Sequence, residues 1–144
     1  MTRKEKAVHI FNSGNNCAQS VVGAFEDMLG EKNHTIFKLA AGFGGGIGRL
    51  QKTCGAVTGG VMVLSSLQDQ TQEDSKNLLN QKIQHFTTKF KNIHGELECK
   101  ALIGYDLNNE QENQKAKEKQ VFEKHCTEFI RTSVEILEEI INQS

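Results

Sequence analysis

Four cysteines are the side chains of this sequence with the greatest capacity for chemistry. Cys17, Cys54, Cys99 and Cys126 are separated by 37, 45 and 27 positions along the chain. No C-x-x-C pair occurs, so the spacing is not that of a zinc ribbon, a thioredoxin-type motif or a C-x-x-C-H haem attachment site. Thiols can bind metals or carry redox chemistry, but widely spaced thiols act together only where the fold gathers them. The elements that carry them therefore decide between these chemistries.

The four cysteines occupy contrasting positions in the predicted elements. Cys17 and Cys54 lie at predicted helix starts, where free N–H groups and the helix dipole favour the thiolate form. Cys126 lies on the apolar face of the last predicted helix, and Cys99 lies in a short segment bounded by glycines. Cysteine is also among the residue types most often buried as a small apolar side chain. From placement alone, four inert thiols and a four-thiol site are equally good interpretations.

Hydrophobic periodicity predicts helices throughout the chain and strands nowhere. Proline is absent, which removes the commonest helix breaker. The predicted helices cover residues 3–13, 17–29, about 33–43, 54–67, 74–94, 96–103 and roughly 122–141, with 108–119 as a solvated helix start or a loop. Asn16 and Thr53 are predicted caps of the second and fourth helices, and Asn33 or Thr35 of the third. We expect an all-α fold, a single domain over 1–144 that forms a helical bundle or array of about five to seven helices.

Two predicted helices carry patterns that indicate how they pack. The helix over 74–94 has a bundle seam with apolar side chains at steps of four and three, formed by Leu79, Ile83, Phe86, Phe90 and Ile93. In the helix over 54–67, Gly55 and Gly59 lie four residues apart. A glycine pair at this spacing lets another backbone approach closely.

A glycine-rich stretch, Gly42–Gly48, separates the third predicted helix from the fourth. Gly44, Gly45 and Gly46 are candidate cofactor-binding residues, because N–H groups without side-chain obstruction can form an anion-binding nest. Arg49 adds positive charge close by in the sequence. The alternative is a tight turn in which close packing requires glycine, and the lack of a preceding strand and of a G-x-G-x-x-G pattern favours that alternative.

Composition and charge narrow the classes of partner. The net charge is −1 with histidine neutral, so there is no basic excess typical of nucleic-acid binding. No uncharged run reaches the roughly 18 apolar residues of a membrane helix, and the first residues lack the apolar core of a secretory signal. We expect a cytoplasmic protein, in which four reduced thiols favour metal binding or catalysis over structural disulfides. The histidines are expected at surface or capping positions, with His125 directed away from Cys126.

Two segments carry a resemblance to a known family. They are Asn15–Phe25 (NNCAQSVVGAF) and Phe43–Leu64, which contains the CGAVTG element at Cys54–Gly59. With the two downstream cysteines, they resemble a family described as redox-active and named for its C-GCAxxG-C-C cysteine pattern. The resemblance spans nearly the whole chain and implies a redox role for the cysteines. Asn16 stands where relatives commonly have glycine, and asparagine suits the cap conformation expected there.

A more distant resemblance is to the cluster-bearing part of split-Soret cytochromes, in which cysteines of this pattern are thought to hold an iron–sulfur cluster. The haem-binding motifs of those proteins are missing from this sequence, so only the cluster-bearing part carries over. Those relatives are dimeric, and helices faced with glycine suit helix–helix association. Both observations are consistent with a homodimer.

The leading hypothesis is that Cys17, Cys54, Cys99 and Cys126 bind a [2Fe–2S] cluster that exchanges electrons with an unidentified partner protein. Such a cluster with four thiolates carries about −2 formally, which the helix starts and the glycine loop would partly offset. One alternative is a thiol–disulfide redox protein with Cys17 and Cys54 as its catalytic pair. The others are a structural zinc site with four thiolates, and a non-catalytic helical interaction module with inert cysteines.

Overall fold

The computed structural model describes residues 1–143, which form nine α-helices. They are α1 (Arg3–Asn12), α2 (Cys17–Ala24), α3 (Glu26–Leu29), α4 (Lys32–Leu39), α5 (Gly55–Leu67), α6 (Ser75–His94), α7 (Cys99–Ile103), α8 (Glu110–Glu118) and α9 (Thr127–Asn142). A 3₁₀ turn, Ala40–Phe43, follows α4, and one π-helical turn, Phe122–Cys126, runs directly into α9. Among these residues the only β pairing is an isolated bridge at Thr53. The predicted all-α fold is confirmed. None of the described helices combines the length and apolar character needed to cross a bilayer.

The chain has more helices than expected because predicted helices are divided. The helix predicted over 17–29 ends at Ala24, since Phe25 leaves the helical region with φ −103° and ψ 19°. The short α3 follows and ends at Gly30, which has φ 63°. The segment over 108–119, predicted as a helix start or a loop, contains a separate helix, α8.

The start of α4 differs from the prediction. Neither Asn33 nor Thr35 is its cap, because the chain enters the helix at Glu31 without a side-chain cap. Asn33 lies inside the helix and is buried, and its amide donates to the carbonyl oxygen of Val22 at 2.9 Å. The polar side chain that sequence marked as a cap therefore joins α4 to α2.

The backbones of α2 and α5 are in close contact. A Cβ atom added at Gly59 would lie 2.8 Å from the carbonyl oxygen of Ala18, and one at Gly55 would lie 3.1 Å from Cβ of Cys17. These distances are too short for a side chain, so the close approach predicted from the glycine pair is confirmed. Its effect is to bring together the starts of two helices that each carry a cysteine.

The seam of α6 ends differently from the predicted pattern. Ile93 is 62% exposed, so its predicted place in the seam is wrong. His94 lies inward instead, with its ring centroid 4.9 Å from the rings of both Phe90 and Phe129. Its Nε2 atom is 2.8 Å from the hydroxyl of Thr132. The imidazole therefore packs against two aromatic rings. The surface or capping role expected for this histidine is wrong.

We expect Gly59→Ala to lower the free energy of unfolding by about 1–3 kcal/mol, because the added methyl group overpacks the contact with α2. The direction of this change is informative, because alanine in place of an unconstrained helix-interior glycine raises the free energy of unfolding by about 0.5–1 kcal/mol. Gly42→Ala is the matched control: its φ is not positive and its added methyl group would meet nothing within 4 Å. Urea unfolding measures both variants, and equal stabilities would contradict the close contact.

Candidate functional site

All four cysteines line one cavity of about 250 Å³. Cys17 opens α2, Cys54 directly precedes α5, Cys99 opens α7, and Cys126 ends the π-helical turn. All four are free thiols; Cys17 is half-buried and the other three are buried. The remaining wall combines apolar side chains with glycines and a few polar groups, namely Phe11, Asn16, Gly45, Gly46, Arg49, Gly55, Leu102, Ile103, Leu107, Asn113, Lys117, Phe122 and Phe129. The fold therefore gathers thiols that are far apart in the sequence.

Cys17 is positioned by the cap of α2. The Asn16 side chain accepts from the N–H of Gln19 (2.9 Å), and the Gln19 side chain accepts from the N–H of Asn16 (3.2 Å). This capping box confirms the predicted cap. The Asn16 amide also donates to the carbonyl oxygens of Ala40 (3.2 Å) and Ala41 (3.0 Å), so one side chain fixes the start of α2 against the 3₁₀ turn.

Cys54 and Cys99 are held by the antiparallel pairing of the two segments that precede α5 and α7. The N–H of Cys54 donates to the Leu97 carbonyl oxygen (2.8 Å), and the N–H of Cys99 donates to that of Lys52 (2.7 Å). Thr53 forms the isolated bridge between these two bonds. The prediction that Thr53 caps α5 is wrong, because Cys54 holds the cap position one residue later. Backbone pairing thus fixes these two thiols relative to each other.

Cys126 lies on the π-helical turn, which the predicted regular helix does not contain. Such turns are frequent at functional sites. The hydroxyl of Thr127 donates to the Glu123 carbonyl oxygen (2.7 Å), which satisfies an acceptor within the widened turn. His125 is exposed while Cys126 is buried, as their adjacent positions on a helix predicted.

The glycine loop winds in the left-handed sense. Five consecutive residues, 45–49, have φ between 54° and 71°. The loop closes on itself through bonds from the N–H of Gln51 to the Gly45 carbonyl oxygen and from that of Lys52 to Gly46, both 2.9 Å. Within residues 1–143, the N–H groups of Gly45 and Gly46 donate to no backbone acceptor. Both glycines line the cavity, whereas Gly44 packs against Asn16, whose Cβ would lie 2.8 Å from an added Cβ.

Burial governs the protonation of two thiols. It raises the pKa of Cys54 to about 12, although the N–H groups of Ala56 and Val57 act in the opposite direction. It also raises the pKa of Cys99 to about 11, against the lowering effects of Gln51 and Arg49. At the start of α5, the loss of hydration on burial therefore outweighs the N–H groups that favour the Cys54 thiolate.

The thiols of Cys17 and Cys126 influence each other's protonation. The interaction with Cys126 raises the pKa of Cys17, and burial adds to the rise. The interaction with Cys17 lowers the pKa of Cys126 against the opposing effect of burial. Cys126, which sequence did not single out as a nucleophile, is therefore the thiol whose pKa is lowered.

Gln51 connects the loop to α7 and was missed by sequence analysis. It is buried with φ 60°. Its side-chain amide donates to the Tyr105 carbonyl oxygen (2.7 Å), and its side-chain oxygen accepts from the N–H of Leu107 (2.9 Å). Its own carbonyl oxygen accepts from the N–H of Lys100 (3.3 Å). No local pattern distinguishes it from the other glutamines, because every partner except the loop itself is distant in sequence.

The side chains of the site are not arranged around a single point. Among residues 1–143, no three or more His, Cys, Asp or Glu side chains form a group that could hold one metal ion. Arg49 and Lys117 contribute positive charge to the wall. Arg49 donates to the carbonyl oxygen of Leu107 (3.2 Å) and to the side-chain oxygen of Asn113 (3.3 Å), which holds its guanidinium near the cavity.

Comparison with known proteins supports a redox role for this arrangement. A family model described as "Putative redox-active protein (C_GCAxxG_C_C)" matches residues 15–140, a span that includes all four cysteines. The match agrees with the resemblance inferred from the cysteine motifs. No curated protein and no solved structure matches the chain.

Replacing Gln51 tests its role in joining the glycine loop to the backbone at Tyr105 and Leu107. We expect Gln51→Leu to lower the free energy of unfolding by at least about 2 kcal/mol, because it leaves the Tyr105 carbonyl and the Leu107 N–H unpaired. Gln120→Leu is the matched control: Gln120 also has positive φ, at 55°, but its side chain is exposed. Thermal and urea unfolding compare the two. A Gln51→Leu variant as stable as the control would show that these hydrogen bonds contribute little.

Proposed function

The chain belongs to the C_GCAxxG_C_C family, and from this premise we propose that its four thiols hold an iron–sulfur cluster through which the protein transfers electrons. The observation that carries the proposal is the convergence of Cys17, Cys54, Cys99 and Cys126 on one cavity. Four cysteine thiolates are the usual ligand set of a [2Fe–2S] cluster. Inert packing cysteines have no reason to share one cavity when they come from four separate elements.

The space between the thiols favours a cluster over a single ion. A zinc site requires its sulfur ligands at about 2.3 Å from one point in a closed tetrahedron. The described residues contain no group arranged in that way, and about 250 Å³ of space lies along the thiols. A cluster of several atoms distributes its ligands over a larger volume than one ion does. Structural zinc is therefore the less favoured metal hypothesis.

The cavity wall offers compensation for a negatively charged group. The N–H groups of Gly45 and Gly46 donate to no backbone acceptor among the described residues, and neither glycine has a side chain that would obstruct an anion-binding nest. Arg49 adds a full positive charge at the same wall. The N–H groups of Ala56 and Val57 act on Cys54 in the direction that stabilises its thiolate. These donors would offset part of the formal charge of about −2.

The chain's residues would hold the cluster and release protons to receive it. When bound, a [2Fe–2S] cluster supplies one reversible electron. Ligation requires thiolates, whereas burial raises the pKa values of Cys54 and Cys99 to about 12 and about 11. Binding therefore displaces protons from these two thiols, so the affinity for metal increases as the pH rises. The backbone pairing beside Thr53 keeps both ligands in place during electron transfer.

A thiol–disulfide role is a second candidate, favoured by the interaction between the Cys17 and Cys126 thiols, which lowers the pKa of Cys126. The pair predicted from sequence was Cys17 with Cys54, whereas burial raises the pKa of Cys54 to about 12. A thiolate at Cys126 would attack a peroxide, forming a sulfenic acid and releasing hydroxide. The Cys17 thiol would then displace that oxygen as water, which forms the disulfide. The peroxide accepts the two electrons that the thiols lose.

Anaerobic reconstitution with iron and sulfide tests the cluster. We expect two irons and two sulfides per chain, visible absorbance, and greater loading at pH 8.5 than at pH 6.5 because two ligand thiols must lose raised-pKa protons. Each of the four Cys→Ser variants should lose most of the bound iron, with circular dichroism confirming that it is folded. A colourless protein with one zinc per chain would support the structural zinc site. Unchanged loading in any single variant would contradict the four-ligand assignment.

Oxidation of the metal-free protein tests the thiol pair. With hydrogen peroxide we expect a Cys17–Cys126 disulfide in peptide maps, because these two thiols interact and the pKa of Cys126 is lowered. Its rate of formation should level off at a lower pH than the oxidation of a cysteine in an unfolded peptide, whose pKa is about 8.5. Cys126→Ser should abolish the reaction, whereas Cys99→Ser should not. Cys17–Cys54 as the dominant disulfide would restore the pairing predicted from sequence.

A further inference from the structure

The loop that forms one wall of the cavity also forms an exposed apolar surface. Two of its glycines line the cavity, while Leu39, Ile47 and Leu50 on the same segment are 67%, 39% and 67% exposed. The N–H of Gly48 donates to the Gly42 carbonyl oxygen (2.8 Å) and that of Leu50 to the Ile47 carbonyl oxygen (2.9 Å). These bonds fold the segment into one compact surface. We call the exposed side chains of residues 38–52 the loop face.

Two residues of the loop face are not explained by packing within the chain. Ile47 is β-branched and has φ 65°, a conformation that costs energy for such a residue, and its side chain is not buried in return. Gly42 has no positive φ, and a methyl group added there would meet nothing within 4 Å. An exposed apolar side chain on a strained backbone, beside a glycine that nothing fills, is typical of a surface that another molecule contacts.

The loop face is basic. Residues 32–68 contain no Asp or Glu, although the whole chain has a net charge of −1. They contain four exposed cations, Lys32, Lys38, Arg49 and Lys52. Three carboxylates lie near this surface and accept local hydrogen bonds: Asp106 from the N–H of Asn108 (3.0 Å), Glu112 from the N–H of Asp106 (3.1 Å), and Glu98 from the hydroxyl of Thr53 (3.4 Å). A second copy of this chain would present the same positive charge, so charge complementarity favours an acidic partner.

We propose that the loop face docks an acidic electron-carrier protein. Ile47 and Leu50 contact the apolar centre of the partner's surface, and Lys38 and Lys52 pair with carboxylates around it. The inference rests on the proposed electron-transfer function, because its advantage is proximity. Gly45 and Gly46 of the cavity wall belong to the same segment as the loop face, so a partner docked there lies beside the wall of the cavity that holds the thiols. In each encounter one electron would pass between the carrier and the bound cluster, so that one is oxidised as the other is reduced.

Binding measurements with two carriers of opposite charge test the docking. Flavodoxin serves as the acidic probe and cytochrome c as the basic one, each titrated by calorimetry and by NMR against the reconstituted and the metal-free protein. We expect flavodoxin to bind with a dissociation constant that rises with salt. Leu50→Gln should weaken this binding about tenfold, and Lys38→Gln should weaken it and reduce its salt dependence. Ile93→Gln and Lys91→Gln, exposed positions on α6, are the matched controls and should leave binding unchanged.

Several results would overturn the docking proposal. They are no binding of flavodoxin to either form, equal binding of cytochrome c, or equal effects of the loop-face and control variants. If Leu50→Gln weakens binding to anionic phospholipid vesicles more than binding to flavodoxin, the loop face contacts a membrane surface instead. If Leu50→Gln abolishes self-association and changes no other binding, the loop face is a contact between two copies of the chain. Iron loading and docking are also measured in parallel on the unsubstituted protein. Docking without iron uptake would refute the cluster alone, and iron uptake without docking would refute the loop face alone.

Discussion

The contact between the backbones of α2 and α5 is the constraint on which the cavity depends. Only because Gly55 and Gly59 carry no Cβ can α5 lie against Ala18, and only at that separation do Cys17 and Cys54 share a wall. The other two thiols are then added from later parts of the chain, by backbone pairing at α7 and by the turn before α9. Glycine in mid-helix is intrinsically unfavourable, so the chain accepts a local cost to obtain this geometry.

The same geometry places two of the thiols, Cys54 and Cys99, in an environment that keeps their pKa values high. Burial opposes ionisation of Cys54 and Cys99 more strongly than the nearby N–H groups promote it. A ligand that replaces the protons with a stronger positive charge reverses this balance. Helix starts and the glycine loop then act in the direction expected from sequence. The donors around the cavity are therefore better matched to a bound group than to free thiolates. This reconciles the opposing effects of burial and of the N–H groups on the pKa values of the cysteines.

Local patterns predicted much of the fold, and the failures were at positions decided by distant contacts. The Asn16 cap and the glycine approach were predictable because each depends on neighbouring residues or on helical spacing. The cap at Thr53 failed because Thr53 is drawn into a bridge with Glu98, 45 residues away. Ile93 failed because a step of three and a step of four fit the seam equally well, and Phe129 accommodated the imidazole of His94 instead.

The site was predictable in composition but not in arrangement. Resemblance identified the four cysteines as a set, whereas no spacing rule paired Cys17 with Cys126. Gln51 was not predictable, since its hydrogen-bond partners at Tyr105 and Leu107 are more than fifty residues away. The residue types of a site can thus be identified from sequence motifs, while the arrangement of their side chains around a cavity depends on tertiary packing.

The π-helical turn makes the four thiols mechanically unequal. Three of them are anchored by main-chain bonds or a capping box at the ends of elements. Cys126 lies instead where the helical hydrogen-bond pattern is already widened, and a side-chain hydroxyl on Thr127 occupies an acceptor in that turn. A turn of this kind can change its winding when its carbonyl oxygens exchange hydrogen-bond donors, and the Thr127 hydroxyl supplies one such donor. Cys126 is therefore the thiol whose position can adjust most readily relative to the other three.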